Sequence, residues 1–147
     1  DGKIVGRVVA IINNRANQRW GTRNVRFGWI DFVDDLEVCK ALISTVEQWG
    51  KERGMDTIVG PLGFTDLDQE GMLFEGYDQM GSMYTMYNYP YYVRHLEGYG
   101  LVKEADCSML WRRISVLDEV LESCANPVMD IAMNKNRKVF FFIYSFI

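Results

Sequence analysis

Asp34, Asp35 and Glu37 place three carboxylates at a junction between two regular elements. Residues 28–33 (GWIDFV) predict a strand, and the run that follows Asp35 predicts a helix. A helix N-terminus carries about half a positive charge and unpaired N–H groups, so a phosphate is a common ligand at such a junction. The helix contributes roughly 1–2 kcal/mol to holding an anion, whereas one carboxylate about 4 Å away opposes it by roughly 1 kcal/mol in water and about 4 kcal/mol at a semi-buried site. Three carboxylates outweigh the helix, and the junction is predicted to be structural rather than phosphate-binding.

A second candidate site lies in the segment between Arg53 and Arg94, which contains no Lys or Arg. Its candidate ligand-binding residues are Asp66, Asp68, Glu70, Tyr84, Tyr87 and Tyr89. Carboxylates attract an ammonium group, and the face of a tyrosine ring attracts cations. This pattern predicts a small amine ligand or a basic partner. An alternative stays open, in which the tyrosines cover a sheet and the acids are solvated loop residues.

The composition limits the classes of function. The 147 residues suit one domain, and a hydrophobic fraction of 48% suits a folded core. The net charge of −4 argues against a dedicated nucleic-acid-binding protein, which would carry a basic stripe. Because His95 is the only histidine and Cys39, Cys107 and Cys124 are far apart, neither a metal site nor a disulfide framework is expected.

The cysteines and the apolar runs also bear on location. Three unpaired thiols favour a reducing, cytoplasmic compartment. The longest apolar run, residues 139–147, is far shorter than the ~20 residues that a membrane-spanning helix needs. No membrane partner is therefore expected.

A central helix must position the first group of carboxylates. Apolar residues recur at helical spacing and predict a helix over about 35–53 with one buried face, formed by Leu36, Cys39, Leu42, Ile43, Val46 and Trp49. Asp34 is the expected N-cap, with Glu37 completing a capping box, and Gly54 follows as a stop.

Strands are predicted around this helix. Residues 3–12 and 25–33 are expected to form an antiparallel pair joined by a long polar loop. Residues 55–61 predict a further strand, parallel to the one at 25–33 because the helix makes a right-handed crossover. The middle of the chain predicts a turn of helix at 67–73 and a strand at 82–86.

The C-terminal part completes an α+β fold. The expected order is a helix at 91–100, a strand at 101–113, a helix at 115–124 and an apolar strand at 138–147. The predicted architecture is a mixed sheet flanked by helices.

Several runs resemble GNAT-type N-acyltransferases. ALISTVEQWGKERGMDTI is similar to the helix and following strand of that superfamily, and YYVRHLEGYGLVKEADCSMLWR is similar to its next helix and strand. More closely, KIVGRVVAIIN, RFGWIDFVDDLEV, GPLGFTDLDQEGML and YNYPYY resemble one lobe of larger, poorly characterised bacterial GNAT-like proteins. The resemblance extends from residue 2 to about residue 106 and is lost after about Trp111.

The resemblance implies a three-layer fold with a splayed sheet. It implies a GNAT-like core at residues 1–112, truncated at the N-terminus, with a strand and two helices of the superfamily expected upstream of Asp1. Residues 113–147, a helix and an apolar strand, are expected to form a separate C-terminal segment.

The resemblance also implies where acetyl-coenzyme A would bind if the chain is active. The superfamily grips the pyrophosphate with a Q/R-x-x-G-x-G/A loop before the central helix, whereas this chain has DDLEVCK, without a glycine. Pantetheine would lie between separating strands, so the cofactor-binding candidates are Phe32, Val33, Asp34 and Leu36. Without the loop, binding of acetyl-coenzyme A is expected to be weak or absent.

The catalytic residue that the resemblance implies is a Tyr four residues before the glycine of a GF pair. If Gly100–Leu101 is that pair, the position holds Leu96, which cannot transfer a proton. Tyr91, Tyr92 and His95 are the nearby candidates for catalysis. The alternative, that His95 is a surface residue or a satisfied core residue, stays open.

Two functions of different class follow from these observations. The first is a GNAT-like lobe of a larger protein that binds a ligand or a partner without catalysis. The alternative is an active acetyl-CoA-dependent N-acetyltransferase that acts on a small amine.

The apolar tail predicts a homodimer. Residues 139–147 (VFFFIYSFI) are apolar, uncharged and β-prone, so they must be buried. They either complete the sheet of their own chain or cross into a second copy, and the crossing is the expected arrangement.

Overall fold

The computed structural model describes residues 2–65, 67–78, 86–108 and 138–145, which form one mixed sheet and three helices. The helices are α1 (Asn14–Trp20), α2 (Leu36–Lys51) and α3 (Tyr91–Tyr99). The strands are β1 (Gly6–Ile11), β2 (Asn24–Phe32), β3 (Thr57–Gly60), β4 (Met72–Glu75), β5 (Val102–Ser108) and β6 (Lys138–Ser145). Their order is β1-β2-β3-β6-β4, with β5 also pairing with β6. The expected α+β class with a mixed sheet is confirmed.

The sheet contains the predicted antiparallel and parallel pairs. β1 pairs antiparallel with β2, and β2 pairs parallel with β3 across the α2 crossover. The parallel pairing covers only Asn24 to Arg26 on β2, opposite Thr57 to Val59 on β3. Beyond Arg26 the ladder ends: Phe27 C=O still accepts Leu62 N–H (2.9 Å) from the residues after β3, and β2 continues to Phe32 without a paired strand on that side. The end of β2 is therefore open to groups from other elements.

The core lies between β2 and the apolar face of α2. Cys39, Ile43 and Val46 are buried on the helix, and Val25 and Phe27 are buried on the strand. Burial raises the pKa of the Cys39 thiol to about 11, so this cysteine is an unreactive packing residue, as expected.

Two local predictions differ from the structure, and two others fall mostly or wholly outside the described residues. The polar run after β1 is a helix, α1, because the Asn13 side chain caps it at Ala16 N–H (3.0 Å) and Gly21 ends it in a left-handed conformation. A strand, β4, begins at Met72, where a turn of helix was expected over 67–73. Most of the strand expected at 82–86 and the whole helix expected at 115–124 lie outside the described residues, although Met86 is described and is not in a strand.

β6 contains most of the apolar tail, for which the sequence left two arrangements open. It pairs antiparallel with β3, β4 and β5 of its own chain. The expected crossing of this strand into a second copy is therefore wrong for residues 138–145, because its backbone partners are supplied within the chain. Dimerisation itself stays a prediction, as does the domain division at residues 112 and 113.

A half-buried carboxylate, Glu47, joins α2 to α3. The Tyr99 hydroxyl donates a hydrogen bond to Glu47, and Lys51 Nζ lies 2.6 Å from Glu47 Oε1. Burial acts to raise the pKa of Glu47, but the hydrogen bonds from Lys51 and Tyr99 hold it below its ordinary value of 4.5. The cluster is therefore charged, and stabilising, at neutral pH.

Glu47→Gln is expected to make folding less sensitive to acid. A carboxylate whose pKa is lower in the folded state stabilises the protein above its unfolded pKa and loses that contribution as the pH falls through the folded value. The wild type should thus lose stability below about pH 4.5. Glu47→Gln should be about 1–2 kcal/mol less stable at pH 7, with a shallower decline on acidification. Urea unfolding at pH 7 and pH 3 measures both quantities.

Tyr99→Phe is the companion variant. It removes one donor and leaves Lys51 in place, so its acid dependence should lie between those of the wild type and Glu47→Gln. Equal acid dependence in all three proteins would contradict the prediction.

Candidate functional site

The open end of β2 is closed by two tyrosines from α3. Val33 N–H donates to Val5 O on the β1 side (3.0 Å), so the N–H and C=O of Phe32 point to the opposite edge. There, Phe32 N–H donates to the Tyr92 hydroxyl oxygen (3.2 Å), and the Tyr91 hydroxyl donates to Phe32 C=O (2.6 Å). Both backbone groups of Phe32 are thus satisfied by side chains.

The Tyr92 hydroxyl accepts one hydrogen bond and donates another. The O–H donates to the Asp31 carboxylate, and the ring packs against Phe32 with centroids 4.4 Å apart. Burial and the hydrogen bond to Asp31 raise the pKa of Tyr92 far above its ordinary value of 10.0. Burial also raises the pKa of Tyr91. Both hydroxyls are therefore protonated donors at neutral pH.

His95, the third catalytic candidate, binds Asp34. Its Nε2 lies 2.6 Å from Asp34 Oδ1, and Arg94 Nη2 lies 3.3 Å from the same oxygen. The imidazole is only 11% exposed, and its ring centroid lies 6.0 Å from that of Phe32 and 5.7 Å from that of Tyr91. His95 anchors α3 to the junction that follows β2.

The N-cap of α2 is Asp35 rather than the predicted Asp34. The Asp35 side chain accepts Glu37 N–H at 2.8 Å, because Asp34 is held by α3 and the helix begins one residue later than expected. Glu37 is exposed and pairs with Lys40 at 2.8 Å. The N-terminus of α2 is therefore capped by the chain's own carboxylate, with two further acids beside it.

The cofactor-binding candidates lie at this same junction. Phe32 is buried, Val33 and Asp34 are exposed, and Leu36 is half-buried at the start of α2. The structure thus places the predicted cofactor-binding residues beside the predicted catalytic residues. Phe32, however, is bound by Tyr91 and Tyr92, and Asp34 is bound by His95.

Aromatic rings continue from α3 over the surface. Tyr89 stacks on Tyr91 with centroids 5.7 Å apart and an interplanar angle of 11°. Tyr87 meets Tyr89 edge-on at 6.2 Å, and Tyr77 meets Tyr87 edge-on at 6.3 Å. We call Tyr77, Tyr87, Tyr89, Tyr91 and Tyr92 the tyrosine row. Tyr87 and Tyr89 are 57% and 59% exposed, so part of each ring remains accessible to a ligand.

The acidic residues that were predicted to bind a ligand have other surroundings in the structure. Asp68 is used by its own loop, where it accepts the Thr65 N–H at 2.7 Å and the Thr65 hydroxyl at 3.2 Å. The hydrogen bond from Thr65 N–H is the main reason that the pKa of Asp68 is lowered. Glu70 is half-buried, while Asp66 and Tyr84 lie outside the described residues. The acid that meets the tyrosine row is Asp31, which was not among the predicted ligands.

A cleft of about 230 Å³ opens beside the tyrosine row. Its lining is Arg7, Ile30, Asp31, Pro61, Gly71, Met72, Met86, Tyr87, Asn88 and Tyr92. It is therefore formed by the end of β2, the start of β4 and the residues before α3. A cleft of this size suits a molecule smaller than the ligands of pockets of about 300–1,000 Å³.

Asn88 is a site residue that the sequence analysis missed. It is buried, and its side-chain amide accepts Leu73 N–H (2.7 Å) and donates to Leu73 C=O (2.9 Å). The amide thereby pairs with β4 as a strand backbone would, and it fixes the start of α3. A single polar residue within the aromatic run YNYPYY was the available signal.

The described residues contain neither a metal-binding cluster nor a membrane-spanning helix. Among the ranges that the structure covers, no group of His, Cys, Asp and Glu side chains is arranged to hold a metal ion. Over those same ranges, no helix combines the length and the apolar character needed to span a membrane.

Comparisons with known proteins give one relative. Protein YghO of Escherichia coli (strain K12) is 34% identical to this chain over 110 residues. That alignment covers 75% of this chain and 28% of Protein YghO, so the chain spans less than a third of that relative's length. No family model matches the chain, and no solved structure matches it.

Proposed function

We propose that this chain is a GNAT-like lobe of a longer protein that binds a small amine-containing ligand and does not transfer an acyl group. The sequence resemblance and the short parallel ladder, which ends at Arg26 and Val59, support the GNAT-like fold. The 28% coverage of Protein YghO supports a place within a longer chain. The absence of acyl transfer rests on one observation, the occupation of both Phe32 backbone groups by Tyr91 and Tyr92.

Pantetheine bound between the separated strands would need the groups that the tyrosines hold. Its amides must find hydrogen-bond partners when they leave water, and the open edge of β2 would provide them. At Phe32 these partners are already taken at 3.2 Å and 2.6 Å. Binding of pantetheine would therefore require Tyr91 and Tyr92 to leave the strand and lose the contact with Phe32.

The N-terminus of α2 does not offer a binding site for the pyrophosphate of coenzyme A. Asp35 uses the Glu37 N–H, and Asp34 and Glu37 add negative charge beside it. Because the carboxylates oppose an anion more strongly than the helix attracts it, this end of α2 is unsuited to a diphosphate.

The negative charge of Asp31 makes the cleft suitable for an amine. Asp31 presents a carboxylate to the cleft, and within the described ranges no cationic side chain forms an ion pair with it. Tyr87 adds a ring beside the cleft, where a cation on the ring face is favoured. Residues 54–93 contain no Lys or Arg, and the one basic residue in the cleft lining is Arg7, which lies opposite Asp31 in the β1–β2 register.

The second candidate function is an active acetyl-CoA-dependent N-acetyltransferase. The position of Tyr92 favours it, because Tyr92 lines the cleft where an amine would lie and its hydroxyl is a protonated donor. In this alternative, acetyl-coenzyme A displaces Tyr91 and Tyr92 from Phe32 on binding.

Calorimetry with acetyl-coenzyme A separates the two functions. The expected dissociation constant is weaker than about 1 mM, which corresponds to a binding free energy of only about 4 kcal/mol. A parallel assay should detect no release of the coenzyme A thiol when amines are added. A dissociation constant in the low micromolar range, or steady thiol release, would overturn the proposal in favour of the N-acetyltransferase.

A further inference from the structure

Arg7 and Asp31 face one another at the rim of the cleft. They are directly opposed in the β1–β2 register, and both line the cleft. Opposed residues of an antiparallel pair have Cβ atoms about 4.5–5.5 Å apart, so the two charges lie on one face of the sheet. Throughout the described residues, Arg7 has no hydrogen-bond or ion-pair partner, and Asp31 is bound by Tyr92 alone.

A β-bulge brings Asp31 to this position. Between the pairs Arg7–Asp31 and Val9–Gly28, β2 contains one more residue than β1. Trp29 occupies the extra position with φ 45°, and the buried residues of β2 change from odd to even numbers between Phe27 and Gly28. Asp31 consequently lies on the exposed set, opposite Arg7.

We propose that the cleft binds a free amino acid, with its carboxylate on Arg7 and its ammonium group on Asp31. This inference rests on the proposed function, which supplies the amine, and it adds the carboxylate. A guanidinium group binds a carboxylate through two parallel hydrogen bonds, a geometry that an ammonium side chain cannot offer. The separated charges of Arg7 and Asp31 thus match a ligand that carries both signs on neighbouring atoms.

The remaining lining suits an apolar side chain. Ile30 and Met72 are buried at the cleft, and Met86 is half-buried beside them. Methionine side chains adapt to the shape of an apolar group. An amino acid such as leucine would place its charged atoms at the rim and its side chain against these three residues.

Three probes that share the same isobutyl group test the inference. Leucine carries both charges, 3-methylbutylamine lacks the carboxylate, and 4-methylpentanoate lacks the ammonium group. Binding to the full chain is followed by NMR titration of the wild type and of Arg7→Gln, which removes the charge that the carboxylate needs. Arg15→Gln is the matched control, because Arg15 is an exposed arginine on α1 and does not line the cleft.

Leucine should bind the wild type about tenfold more tightly than either single-charge probe, the effect of one charge-assisted contact. Arg7→Gln should lower the affinity for leucine to that for 3-methylbutylamine and leave the amine itself unaffected. Arg15→Gln should behave as the wild type. Equal affinity for leucine and 3-methylbutylamine in the wild type, or leucine binding unchanged by Arg7→Gln, overturns the amino-acid inference and leaves the amine site intact. Failure of both leucine and 3-methylbutylamine to bind overturns the amine site as well.

Discussion

Asn88→Leu is expected to lower the free energy of unfolding by about 2–6 kcal/mol, since Leu73 N–H loses its acceptor at about 1–3 kcal/mol and two carbonyl groups each lose one hydrogen bond at about 0.5–1.5 kcal/mol. In the wild type, the Asn88 amide satisfies Leu73 N–H and Leu73 C=O at 2.7 and 2.9 Å and also donates to Tyr89 C=O at 3.1 Å. Leucine has the same branched side chain of four heavy atoms but no polar atoms, so it leaves Leu73 N–H without an acceptor, while Leu73 C=O keeps the Tyr77 hydroxyl at 2.8 Å. The substitution should also loosen the start of α3, which carries Tyr91 and Tyr92.

Urea unfolding followed by circular dichroism measures this loss. Asn14→Leu is the control, because Asn14 is exposed at the first position of α1 and its change should stay within about 0.5 kcal/mol. Equal stability of Asn88→Leu and the wild type would show that the Asn88 amide does not pair with β4.

Tyr92→Phe is expected to lower the free energy of unfolding by about 1–3 kcal/mol at pH 7. The substitution keeps the ring against Phe32, so packing is preserved, and it removes only the hydroxyl. Phe32 N–H then lacks an acceptor, and Asp31 lacks its donor. The loss measures how strongly α3 closes the end of β2.

Tyr89→Phe is the matched control for this variant. Tyr89 is 59% exposed, and among the described residues its hydroxyl has no hydrogen-bond partner, so the change should be within about 0.5 kcal/mol. The pH dependence gives a second test. Because the pKa of Tyr92 is raised above its ordinary 10.0, its contribution is complete below pH 10 and is lost as the pH rises towards the folded value. A difference between wild type and Tyr92→Phe that persists undiminished at strongly alkaline pH would contradict the role of the hydroxyl.

The elements with local signals were predictable from the sequence. α2 has an apolar face at regular spacing, with Cys39, Ile43 and Val46 buried as expected. α3 follows Pro90 and ends at Gly100, which adopts the left-handed conformation of a helix C-cap. The parallel pairing of β2 and β3 follows from the crossover that α2 makes between them.

The elements without such signals were not predictable. α1 buries none of its residues, so no apolar period marks it, and its local signals are the caps at Asn13 and Gly21. β4 has only four residues, too few for an alternation to stand out. The bulge at Trp29 shifts the buried positions of β2 by one, which explains the incomplete alternation of that strand.

The sequence predicted two sets of site residues. It could not predict the contacts between them. Tyr91, Tyr92 and His95 were expected to act on a substrate, and Phe32 and Asp34 were expected to hold a cofactor. Their types and positions indicate polar chemistry, but the partner of each group depends on how α3 docks against β2. The pairing of Arg7 with Asp31 was equally hidden, because it depends on strand register and on the bulge.

The closed end of β2 can be observed directly in a ¹H–¹⁵N NMR titration of the chain with acetyl-coenzyme A. The amide of Phe32 reports on the hydrogen bond to Tyr92, and the amide of Glu37 reports on the cap at Asp35. We predict that neither signal moves up to about 1 mM acetyl-coenzyme A, the range in which binding contributes only about 4 kcal/mol. Movement of both signals that saturates at low micromolar concentration would show that the tyrosines and the cap yield to the cofactor, and would contradict the assignment of this chain as a lobe that does not transfer acyl groups.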